Sequence, residues 1–191
     1  MDKYGQELPA NVEAQLDAYI ERIKAIQWFK PSAGLKKEEV EKQVSIAVKA
    51  FGIEASVEYR KLATPSDWDA AQDAAWDAAW DAAWDAAWDA AWETALKAAL
   101  KAARDAAWSA ARGAAQGAAQ GAAWDASWDV AWGAADVLAL NLDEYKAKYP
   151  NGSFVNLIPI WELGLYPVGV VNGKFVVYVP PTSQEFPSDL V

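Results

Sequence analysis

Carboxylates at four-residue spacing are the first residues whose type and pattern could do chemistry. Asp69, Asp73, Asp77, Asp81, Asp85, Asp89 and Glu93 form one column. On a helix a four-residue step advances about 6 Å. Such a column could imitate nucleic-acid phosphates, dock on a basic protein, or loosely attract divalent cations. A solvated face explains it with less: six like-charged neighbours cost roughly 1–3 kcal/mol together. One buried Trp contributes up to about 5 kcal/mol. Lys36, Lys37 and Lys42 of the same chain are possible counter-charges. No Asp-x-Asp-x-Asp-Gly loop is present to build a calcium site.

Other chemistry has little to stand on. The chain has no histidine and no cysteine, which removes the commonest general base and metal ligand along with all thiolate and disulfide chemistry. Glu162, beside Trp161, is the acid worth inspecting as a proton donor, but a single carboxyl does not make a catalytic pair. Gly169 to Lys174 resembles a phosphate loop only faintly: the glycine spacing is wrong and Phe175 stands where a hydroxyl is needed. Asn151-Gly152-Ser153 matches a glycosylation acceptor and reads as a turn. No nucleophile elbow, Walker, dinucleotide-binding or zinc pattern occurs. No catalytic residue, metal or cofactor is expected, and an enzyme is the least favoured reading.

The net charge is −10. Residues 1–61 carry ten basic and ten acidic side chains; residues 62–140 carry four and twelve, net −8; residues 141–191 carry three and five, net −2. The acidity therefore sits in the middle, arguing against direct contact with nucleic acid and leaving a basic protein or self-association as partners. Asp or Arg interrupts every Ala-rich stretch, so no membrane span is expected. The polar opening, Met1 to Glu7, does not read as a secretory signal, and a cytoplasmic location is the default expectation.

The elements follow from periodicity. Residues 10–30 predict an amphipathic helix with Val12, Leu16, Tyr19, Ile20, Ile23, Ile26 and Trp28 near helical spacing, ended by Pro31 and Gly34. A second helix is expected from Lys36 to Phe51 with Gly52 as its stop. Alternation of Ala55, Val57 and Tyr59 with polar residues predicts a half-exposed strand. Thr64-Pro65-Ser66-Asp67 is a helix start.

From Asp69 to Asp136 runs an unbroken tetrad frame of seventeen units, of the form Asp-Ala-Ala-Trp or a variant. The middle pair is Ala-Ala in fourteen of them, so the outer positions vary while the small ones stay small. Ala favours helix, yet each tetrad turns the fourth-position column by about 40°. Trp76, Trp80, Trp84, Trp88 and Trp92 would wind through about 160°, so the helix must be enclosed on several sides or broken. The preferred break is Gly113 to Gly121, giving a helical hairpin. The rival is one continuous helix whose glycines mark close contacts. The second arm should pass Trp124, Trp128 and Trp132 and run to Tyr149. Pro150 to Ser153 is a turn, residues 154–163 a short apolar helix or loop, and Asn172-Gly173 the turn of a hairpin between Tyr166–Val171 and Lys174–Val179.

The repeat resembles Ala-rich tetrad segments of uncharacterised prokaryotic and metagenomic proteins, in which Asp-Ala-Ala-Trp or Asp-Ala-Ala-Arg strings recur. The stretch from Trp161 to Val179 is similar to the ends of such chains. The resemblance implies no activity and carries over no site residue.

The expected fold is α+β, mainly α: N-terminal helices and a strand, a long tetrad-repeat helical hairpin, and a C-terminal β-hairpin pairing antiparallel with the N-terminal strand. One domain is expected over 1–191, comprising 1–62, 64–149, 150–180 and a mobile tail at 181–191. The leading functional expectation is a non-catalytic structural or protein-interaction module, with the Asp69 to Glu93 column as its surface. An acidic nucleic-acid mimic inhibiting a DNA- or RNA-binding protein is the alternative, and an enzyme comes last.

Overall fold

The computed structural model describes residues 8–28, 35–62, 64, 68, 70, 97–114, 119–143 and 153–179. Within them the fold is mainly helical with a three-stranded sheet. Helix α1 (Ala10–Ala25) buries Val12, Leu16, Tyr19, Ile20 and Ile23, the stripe its periodicity demands. It stops five residues short of the expected end, because Ile26 turns extended (φ −60°, ψ 130°). That exit carries Trp28 against Trp161 and Tyr166, at ring-centroid distances of 5.9 and 6.3 Å. Burial of a large indole outweighs one more helical turn.

Helix α2 (Lys37–Ala50) buries Val40, Val44, Ala47 and Val48. Gly52 adopts φ +70° and closes the helix end: its amide donates to the Lys49 carbonyl and the Ile53 amide to that of Val48, both at 3.0 Å. Strand β1 (Ser56–Lys61) follows.

Helices α3 (Lys97–Ala114) and α4 (Ala119–Asn141) are the described part of the tetrad frame. They pack on each other and both touch α1. Trp108 meets Trp124 at 5.2 Å and the Arg104 guanidinium lies 4.9 Å from the Trp128 ring. Both pairs are symmetric about position 116, so the helices run antiparallel about the glycine-rich stretch: the hairpin, not the continuous rod. Helix α4 ends at Asn141; Tyr149 lies outside the described residues.

Small side chains make the seam. Ala99, Ala103, Ala107 and Ala111 are all fully buried, as are Ala123 and Ser127 opposite, with Ala131 and Ala135 nearly so. These eight are the third positions of their tetrads. Methyl-sized groups let backbones approach closely enough to survive the 40° drift. Residues 129–135 of α4 are buried without interruption, since α3, α1 and the turn at 154–157 surround that stretch. Glycines mark close approach as well. A Cβ on Gly133 would lie 2.2 Å from the Tyr19 hydroxyl, and one on Gly121 2.9 Å from Trp68 Cδ1.

A 3-10 turn (Phe154–Leu157) and the short helix α5 (Ile158–Glu162) lead to strands β2 (Tyr166–Val171) and β3 (Lys174–Val179). Asn172 and Gly173, at φ 52° and 76°, form the tight turn. Pro167 is tolerated on edge strand β2, where the register skips Val168. The sheet order is β1-β3-β2. Contrary to expectation, β1 pairs parallel with β3. The hairpin places β3, apolar and buried from Phe175 to Val179, centrally, and the intervening helical chain supplies the crossover that a parallel pair requires. Glu58 forms an ion pair across the two strands with Lys174 at 2.9 Å and one along its own strand with Arg60 at 2.7 Å. The Arg60 and then the Lys174 contacts hold its carboxyl down at about 2. No helix among the described residues is long and apolar enough to cross a membrane.

Candidate functional site

The acidic column Asp69, Asp73, Asp77, Asp81, Asp85, Asp89 and Glu93 lies outside the described residues, as do Trp76 to Trp92 and the 181–191 tail. What the structure describes of the repeat is its later half, where two groups of polar or aromatic residues stand out.

The first is a buried centre where α1 crosses α4. The Tyr19 hydroxyl donates to the Val130 carbonyl at 2.8 Å, in the space left by Gly133. Burial raises its pKa well above the usual tyrosine value, helped by Asp136 and Asp129 and opposed by Arg22. Asp129 is nine-tenths buried, and burial, then Asp125, pushes its carboxyl well up. Asp136 accepts the Phe154 and Val155 amides at 2.7 and 3.2 Å, capping the 3-10 turn. Burial lifts it to about 7 against the pull of the amides of 153–155. A carboxyl near 7 suits proton transfer. Here, however, its Oδ2 holds the turn and the neighbouring phenol is spent on a main-chain carbonyl. The centre anchors three elements. Glu162 is held by Arg22 in a two-pronged pair at 2.6 and 2.8 Å. Among the described residues no three acids converge to hold a metal.

The second group lies on the outer side of the α3–α4 hairpin, where fourth-position residues of the two arms face each other. Arg104 stands over Trp128 and Trp108 meets Trp124 edge-on, while the Arg112 guanidinium lies 5.7 Å from the Trp108 ring. Trp124 is 48% exposed, Trp128 half-buried and Trp132 1% exposed. That gradient is the tetrad drift made visible: each step of about 40° carries the indole further from solvent. Trp28, Trp68, Trp132 and Trp161 are all buried. Trp68, whose indole N–H donates to Asp125, also packs on Tyr178 at 5.4 Å and so joins the sheet to the hairpin.

No family model, curated protein or solved structure matches this chain.

The Arg–Trp face is not anticipated from the sequence when the tryptophans of the fourth-position column are considered without the arginines between them. The signal was present: Arg104 and Arg112 replace Trp on either side of Trp108. A cation at such a position can keep its head in water while its stem covers an indole.

Proposed function

We propose that the chain is a non-catalytic protein-interaction module acting in the cytoplasm, with the outer Arg–Trp face of the α3–α4 hairpin as its contact surface. The exposure of Trp124 carries the reading. A chain that hides four other described indoles leaves this one 48% open, although covering the remaining roughly 100 Å² would contribute about 2.5 kcal/mol. Its ring is nonetheless fixed by Trp108 and by Trp128 at 6.3 Å. A fixed, half-open aromatic flanked by guanidiniums has the composition of a binding hot spot. The packed Ala seam and the buried Tyr19–Asp136 centre hold the two arms in place beneath it.

The test compares partner capture and self-association for the parent protein and Trp124→Ser. The variant should keep its helical circular dichroism and unfolding midpoint while losing the partner or the self-associated state. Equal capture and equal sedimentation for both proteins would refute the reading.

A further inference from the structure

Resting on the interaction-module reading, the partner's chemistry can be narrowed. Arg104, Trp108 and Arg112 occupy successive tetrads of α3; Arg104 faces Trp128 and Trp108 faces Trp124 of α4, while Arg112 reaches back over Trp108. Each guanidinium lies beside an indole, which fixes its plane and leaves its N–H edge available for a two-pronged hold on a carboxylate. Arg112 is exposed and makes no ion pair among the described residues. Arg104 reaches only the edge of Asp105, at 3.4 Å, while Asp105 is committed to Lys101 at 2.5 Å. With Lys101, Arg104 and Arg112 against Asp105 and the neighbouring Asp125, this face is net +1 within a chain of net charge −10. Screening over about 8 Å at physiological salt leaves a docked partner governed by the local sign.

The two arginines are eight residues apart, so the helix separates them by about 12 Å. A carboxylate pair at i and i+8 of a second helix has the same rise along its axis, and residue i+4 falls between them, level with Trp108 and the open ring of Trp124 packed against it. We infer that this face docks an acidic helix of a partner protein carrying Asp or Glu eight residues apart with an apolar residue midway. A single-stranded nucleic acid, with a charge at every nucleotide, would use a denser row of cations than two arginines and a lysine provide.

The probe is an Ala-rich helical peptide of about 20 residues with Glu at i and i+8 and Leu at i+4, titrated against the full chain by fluorescence anisotropy. Binding should weaken about tenfold or more in Arg104→Gln and in Arg112→Gln. It should weaken comparably in Trp124→Ser, and be lost for a peptide with Lys in place of both Glu. Arg112→Lys, which keeps the charge without the planar fork, should fall between parent and Arg112→Gln. Equal binding of the Lys peptide, undiminished binding by both Arg→Gln variants, or displacement by a single-stranded oligonucleotide at lower concentration would each overturn the inference. So would absence of peptide binding. If the peptide fails while Trp124→Ser still abolishes partner capture, only the acidic-helix inference falls; if capture is unaffected too, the module reading falls with it.

Discussion

Replacing Gly133 with Ala should destabilise this protein, although Gly→Ala inside a helix ordinarily stabilises by about 1 kcal/mol. Gly133 sits within α4, and a methyl there would lie 2.2 Å from the Tyr19 hydroxyl and 3.0 Å from its Cζ. The hydroxyl cannot retreat freely, because it donates to the Val130 carbonyl at 2.8 Å from a fully packed α1 face. Overpacking of this kind costs about 1–3 kcal/mol, and a buried phenol robbed of its acceptor a further 1–3 kcal/mol or so. Set against the propensity gain, the net is a loss of about 1–5 kcal/mol. Urea unfolding followed by circular dichroism measures it directly as a lower midpoint at unchanged slope. Removing the clashing atom should restore part of the loss, so Tyr19→Phe combined with Gly133→Ala should be less unstable than the two single effects summed. A Gly133→Ala variant as stable as the parent, or more so, would refute the close approach of α1 to α4.

Three further outcomes follow from the same structure. Asp136 has a folded pKa of about 7 against an ordinary 3.8, so its contribution is complete below about pH 4 and is lost as pH rises towards 7. The ceiling is about 4 kcal/mol, at 1.36 kcal/mol per unit, and Asp136→Asn should flatten the unfolding profile between pH 4 and 7; an unaltered slope would count against the buried carboxyl. Trp132→Ala should lower stability by about 3–5 kcal/mol while Trp124→Ala costs under about 1 kcal/mol, checked by thermal and urea unfolding; equal losses would contradict the exposure gradient. Deleting the Arg22–Glu162 pair, whose side chains are 50% and 38% exposed, should change stability by no more than about 1 kcal/mol in a double-mutant cycle.

Much of the architecture was legible because local signals agreed. Asn172-Gly173 marked the hairpin, Gly52 the end of α2, and the glycines between Gly113 and Gly121 the break between antiparallel arms. The parallel pairing of β1 was not legible: strand patterning shows which face is buried, whereas direction depends on where the long helical connection returns the chain. The early end of α1 was hidden for a related reason. Ile26 and Trp28 keep helical spacing, yet Trp28 finds its partners in Trp161 and Tyr166, more than a hundred positions away. The exposed face was half legible: the 40° drift requires some indoles to leave the core, but only tertiary packing selects Trp124. Asp136 gave no warning, being the last residue of the tetrad frame with its amide partners in a different element.

The seam of third-position alanines supports everything else, and a leucine scan probes it most directly. Ala103→Leu, Ala107→Leu and Ala111→Leu, at sites with no exposure, should each lower the unfolding free energy by about 1–3 kcal/mol. Ser109→Leu, on the exposed face of the same helix, should leave it within about 0.5 kcal/mol of the parent. Leucine tolerated equally at all four positions would contradict a close-packed hairpin built on the tetrad.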